Sequence, residues 1–140
     1  DAPERRQPFG NRSRLHLGAL VFGAIGGGCL VFPDALMRVV DIALTTATAR
    51  VEIYAFYGGL QLGVAFFLGL CATRTDWIPL GLTALAALLG GLGLARLLGA
   101  LFVADVRAIH LAFATLEIAG AATSLWALRR VRDVRSPLWF

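Results

Sequence analysis

The chain has 140 residues, 58% of them hydrophobic and only 16% charged, where soluble domains average about a quarter charged. A domain this small cannot hide so much apolar surface from water, so its solvent is lipid and an ordinary soluble enzyme is excluded. The net charge of +4 comes from arginines gathered near the chain ends with no aromatic platform among them, which excludes nucleic-acid binding.

Residues 1–14 form a basic arm carrying Arg5, Arg6, Arg12 and Arg14. Four apolar stretches follow, 15–32, 51–72, 79–102 and 107–128, and each meets or approaches the roughly 20 residues a helix needs to cross a hydrocarbon core of about 30 Å. The first is the shortest and reaches across only if it stands nearly upright. After it, Asp34, Arg38, Asp41 and Thr45 fall at steps of four, three and four, one stripe of a helix, with Leu36, Met37, Val40, Ala43 and Leu44 elsewhere. This pattern predicts an amphipathic helix over about 34–48 lying in the membrane interface, with Asp34 as its N-cap. The alternative is an extension of the second span bent out of the membrane. Thr73-Arg74-Thr75-Asp76 reads as a turn, and Pro79 suits the first turn of the third helix. Only Val103–Val106 separates the last two spans, which makes them antiparallel neighbours. Residues 129–140 form a basic and aromatic tail. The fold expected is all-α, a transmembrane four-helix bundle with one interfacial amphipathic helix between the first two spans.

Orientation follows from arginine alone, because the sequence contains no lysine. Arg5, Arg6, Arg12, Arg14, Arg74, Arg129, Arg130, Arg132 and Arg135 flank the side of the termini, while Arg38, Arg50 and Arg107 flank the other. That bias puts both termini in the cytoplasm, and Trp77, Trp126 and Trp139 fall at the same boundary. Gly27-Gly28-Cys29 superficially resembles a lipoprotein cleavage box, but Gly26 stands where a leucine is expected, so no cleavage is expected there. Cys29 and Cys71 lie at levels separated by roughly 20 to 25 Å of helical rise, too far for a disulfide.

Charges inside a span are costly and point to function. Arg96 and Glu117 lie on the third and fourth spans at backbone depths about 6 Å apart, a gap an arginine side chain covers, so they are expected to pair. His110 and Glu117 share one face of the last helix, with Ser124 beyond them, and Tyr54, Tyr57, Gly58 and Gln61 share a face of the second. By depth, Tyr57, Gln61, Arg96, His110 and Glu117 are candidates for one polar pocket holding a lipid headgroup, a quinone-like molecule or a proton. The simpler reading is interhelical hydrogen bonding. His16 and His110 sit at opposite boundaries and cannot clamp one haem, no set of side chains has metal-ligand spacing, and no cofactor is expected. Catalysis has no support beyond a weak acid–base pair of His110 with Glu117, so the chain reads as a non-enzyme.

Sixteen glycines lie mostly within the spans. Ala19, Gly23 and Gly27, then Gly59 and Gly63, then Gly91, Ala95 and Gly99 repeat at four-residue spacing, making smooth strips where another backbone can approach. Tyr57-Gly58-Gly59-Leu60-Gln61-Leu62-Gly63, Gly90-Gly91-Leu92-Gly93-Leu94-Ala95-Arg96 and Glu117 together resemble a family of small bacterial four-helix membrane proteins classed as a domain of unknown function. The resemblance runs over about residues 17–128, and it implies four transmembrane helices, a bacterial inner membrane and no particular activity. On these grounds the expected role is a non-catalytic subunit that docks through its glycine strips into a larger membrane complex, its basic ends gripping anionic lipid. The alternative is a binding or transport module for a small amphipathic molecule, lipid or quinone-like, held near Arg96 and Glu117.

Overall fold

The computed structural model describes residues 9–104 and 106–135, and among them every regular element is helical. Helix α1 is Phe9–Val31, α2 Pro33–Val39 and α3 Ala47–Glu52. A π-helical stretch, Ile53–Gly59, joins α3 to α4, Leu60–Thr73, and a single 3-10 turn, Thr75–Trp77, leads into α5, Ile78–Phe102. Helix α6 is Ala108–Arg135. Four rods are long and apolar enough to cross a membrane: Gly10–Val31, Ala47–Thr73, Thr75–Phe102 and Ala108–Val131. The 25 residues of α5 span about 38 Å at 1.5 Å each, more than the hydrocarbon core. The protein is an all-helical integral membrane protein.

Local chemistry explains the boundaries. Arg74 is extended at φ −117° and ψ 120°, which stops α4, and Pro79 sits in the first turn of α5, where its missing N–H has no helical acceptor to lose. Thr46 caps α3 by accepting a hydrogen bond from the Ala49 amide at 3.1 Å. The helix expected over 34–48 is shorter than its polar stripe suggests. Asp41 adopts φ 63°, its amide donates to the Arg38 carbonyl at 3.2 Å, and the Ile42 amide donates to Met37 at 2.8 Å. This is a Schellman closure, with an aspartate in the left-handed position that glycine usually takes. It ends α2 at Val39, leaving Thr45 outside it. Phe32, not Asp34, is the N-cap residue. Asp34 instead receives two hydrogen bonds from Arg50, at 2.7 and 3.0 Å, tying α2 to the start of the second rod. The Arg50 hydrogen bond holds the Asp34 carboxyl below its ordinary range.

The rods pack as two antiparallel pairs, α1 against α4 with the π-helical stretch, and α5 against α6. All four meet at the end that carries α1's start, the α4–α5 turn and the later part of α6. There Leu15, Phe22, Leu68, Cys71, Leu82, Leu85, Ala127 and Leu128 form the main core. On α5 that core reaches no further than Leu89. A smaller cluster, Cys29, Met37 and Ile53, fills the opposite end of the α1 side. The two cysteines therefore lie in separate clusters, both as free thiols.

Close backbone approach occurs at glycines other than most of the predicted ones. A Cβ on Gly26 would lie 2.9 Å from the Gly58 carbonyl oxygen, one on Gly81 2.8 Å from the Cys71 Cβ, and one on Gly93 2.9 Å from Ile118. Among the predicted strips, Gly23 makes ordinary contact with Ala65 at 3.6 Å, and Gly59 meets only the Tyr54 carbonyl of its own segment. Gly27, Gly63, Gly91 and Gly99 face nothing within 4 Å. A four-residue repeat identifies a strip, but a helix with several glycines has several strips, and the apolar pattern around all of them is alike in a lipid-facing rod. Within the chain the seams run through neighbouring glycines, and those four strip positions are left on open faces.

The structure also alters the two ends. Helix α1 begins within the predicted arm, at Phe9, and α6 runs through the predicted tail to Arg135. Arg5, Arg6 and Trp139 lie outside the described residues.

Candidate functional site

Arg96, His110 and Glu117 gather on the α5–α6 pair, toward the end opposite the main core. Arg96 leaves α5 toward α6, and its Nε–H lies 2.9 and 3.0 Å from the two carboxylate oxygens of Glu117. The side chains are 28% and 14% exposed, so the pair is largely withdrawn from its surroundings. Gly93, one turn before Arg96, has its missing side chain replaced by Ile118 and the Glu117 Cβ, which lets α6 approach closely enough for the carboxylate to reach Nε. Arg96 also lies over the Phe113 ring, 5.3 Å from its centroid, a second favourable contact for a guanidinium.

His110 completes the group. Arg96 Nη1 approaches His110 Nδ1 at 3.4 Å, a long contact that requires Nδ1 to act as acceptor, so a neutral ring there carries its proton on Nε2. A guanidinium has five N–H donors. Nε is committed to Glu117 and one Nη1 donor to His110, which leaves Nη donors for another acceptor. Glu117 thus fixes Arg96 in place and compensates its charge without using all of its donors.

Arg96 borders a cleft of about 330 Å³ between the end of α5, the start of α6 and the α2–α3 connection. Its charged or titratable walls are Arg96, Arg107, His110 and Asp41. Gly99, Ala100, Val103 and Val106 supply the rest of the lining, and the small side chains on α5 are what leave it open. Among the described residues, neither the Asp41 nor the Arg107 side chain has an ion pair. Asp41 reaches the cleft because the left-handed turn that closes α2 directs the chain there.

The sequence-based candidates thus divide. Arg96, His110 and Glu117 come together. Tyr57 lies in the π-helical stretch and Gln61 in α4, both on the α1 side, and neither lines the cleft. Ser124 is buried and donates to the Gly120 carbonyl at 2.8 Å, a bond within its own helix. Asp41 and Arg107 were read from the sequence only as part of an amphipathic stripe and as an orientation charge. The short link after α5 was a usable signal for Arg107, since a connection of residues 103–107 keeps that residue near the α5 terminus. Nothing in the sequence announced the turn at Asp41. Among the described residues no three His, Cys, Asp or Glu side chains come together to hold a metal.

Fold and site together define a small four-span membrane protein with a membrane-embedded Arg–Glu–His group beside an open cleft that carries charged residues on a mostly apolar wall. The family model for Domain of unknown function (DUF4345) matches residues 12–128, and the chain belongs to that family. The match begins at Arg12, within α1, and covers the second and third spans whole and most of the first and fourth. Searches of curated proteins and of solved structures find no match.

Proposed function

We propose that the protein is a membrane binding module for a small amphipathic molecule, whose polar head enters the cleft at Arg96 while its apolar part lies along the helices. The observation that carries this reading is the arrangement of Arg96: its Nε is held by Glu117, and the same residue lines an open cavity. An ion pair serving only to lock the hairpin has no need of a cavity beside it. The reading calls for no cofactor and no catalytic step. It places the chain in a bacterial inner membrane with both termini in the cytoplasm, so that the cleft opens toward the opposite face.

A second reading, a subunit of a larger membrane complex, is favoured by the open faces at Gly27, Gly63 and Gly91, where a partner helix meets no side chain. The two readings are compatible, and one experiment weighs them: purification from native membranes in mild detergent, with mass spectrometry of proteins and lipids. Binding predicts a stoichiometric small amphipathic molecule that is lost in Arg107→Gln. A stoichiometric protein companion with no small molecule would favour the subunit reading and count against the first.

A further inference from the structure

Resting on that binding reading, we infer that the cleft takes a zwitterionic phospholipid head, with its phosphate on Arg107 and the spare donors of Arg96 and its ammonium on Asp41. The inference comes from how charge is distributed on the walls. Arg96 is compensated by Glu117 at 2.9 Å. Among the described residues of the cleft, the charges left without an ion pair are the guanidinium of Arg107, just before α6, and the carboxylate of Asp41 on the α2–α3 connection. Both line the same cleft, and they do not bridge each other.

Two opposite charges facing one cavity without meeting are complementary to a ligand that carries both signs. An anionic head on Arg107 alone would leave its charge facing the Asp41 carboxylate, and a cationic head alone would face two guanidinium groups. Like charges brought together in a partly dry site are strongly disfavoured. A phosphate with an ammonium a few bonds away satisfies both walls, the phosphate through bidentate contacts suited to guanidinium. The volume of about 330 Å³ lies at the lower end of small-ligand sites and admits a head without its chains. The chains have their place outside: Leu101 and Phe102, which in sequence lie between the cleft-lining Ala100 and Val103, are 77% and 86% exposed, apolar surface that acyl groups would cover. This favours a lipid over a free phosphoamine as the source of the head.

The test uses the full chain in mild detergent with equal amounts of phosphatidylethanolamine and phosphatidylglycerol of matched acyl chains, bound lipid being read by native mass spectrometry. Wild type is expected to retain the zwitterionic lipid about tenfold over the anionic one, the effect of one charge-assisted contact. Asp41→Asn should bring that ratio to about one; asparagine tolerates the left-handed backbone, so the turn survives. Arg107→Gln should lower retention of both lipids. Equal retention of both lipids by wild type, or a preference that persists in Asp41→Asn, overturns the zwitterion assignment and leaves the binding reading standing. Retention of neither lipid above the Arg107→Gln level defeats the binding reading itself. Displacement of the lipid by an equal concentration of water-soluble phosphoethanolamine would overturn the lipid source.

Discussion

Arg96 shows how one side chain can be legible in sequence while its surroundings are not. A guanidinium within a span costs about 2.5–3.5 kcal/mol at the helix centre, so it demands a partner, and helical rise alone singled out Glu117. The structure has the two at 2.9 Å. His110 was legible for the same reason, since it lies two turns from Glu117 on one face. Asp41 was not, because its place depends on a left-handed residue at φ 63° that interrupts an otherwise regular helical stripe. The energetic asymmetry of an ion pair gives a sharp expectation. Glu117→Leu leaves the Arg96 charge alone at depth and should cost on the order of 1–3 kcal/mol, below the full value for a buried pair because Arg96 is partly exposed. Removing both charges, as Arg96→Leu with Glu117→Leu, should recover most of that loss. Thermal unfolding in detergent, followed by circular dichroism on the single and double variants, measures the coupling. Additive losses would mean that the pair does not act as a unit.

At the level of helices, the sequence carried the number, order and approximate limits of the spans, because lipid imposes one length requirement on all of them. It carried less about which face of each helix turns inward. In a soluble helix the polar side marks the outside, but lipid-facing and partner-facing sides are equally apolar here, and small residues mark the seam only loosely. Gly23 keeps its contact with Ala65, whereas Gly63 faces open space and Gly26 bears against the Gly58 carbonyl. The difference is measurable. Gly26→Ala should destabilise the fold by about 1–3 kcal/mol, the usual cost of forcing an extra group against packed atoms, here rigid backbone. Gly63→Ala meets nothing within 4 Å and should leave the melting temperature unchanged or slightly raised, since alanine is the better helix former. Equal losses at both positions would place the α1–α4 seam elsewhere. Should Gly63→Leu leave folding intact yet strip away a co-purifying protein, the open strip is a docking face.

On the scale of the whole molecule, the charges sort by end. Arg12 donates to Thr75 at 2.8 Å, Arg14 and Arg130 both lie over the Trp126 ring, and Arg74 lies over Trp77. The start of α1, the α4–α5 turn and the later part of α6 are thereby joined in one basic, aromatic rim beside the main core. The other end carries the cleft, where the two helix pairs no longer share that core. Together with the positive-inside bias, this division gives the proposed orientation a structural expectation: the well-packed rim toward the cytoplasm and the cleft toward the opposite face. Single cysteines at Thr75 and at Ala104, both on exposed positions, report the two ends, while the native Cys29 and Cys71 are buried. In intact cells a membrane-impermeant maleimide should label Ala104→Cys and spare Thr75→Cys until the membrane is opened. The reverse pattern would turn the cleft toward the cytoplasm, and with it the side from which Arg96 and Asp41 meet their ligand.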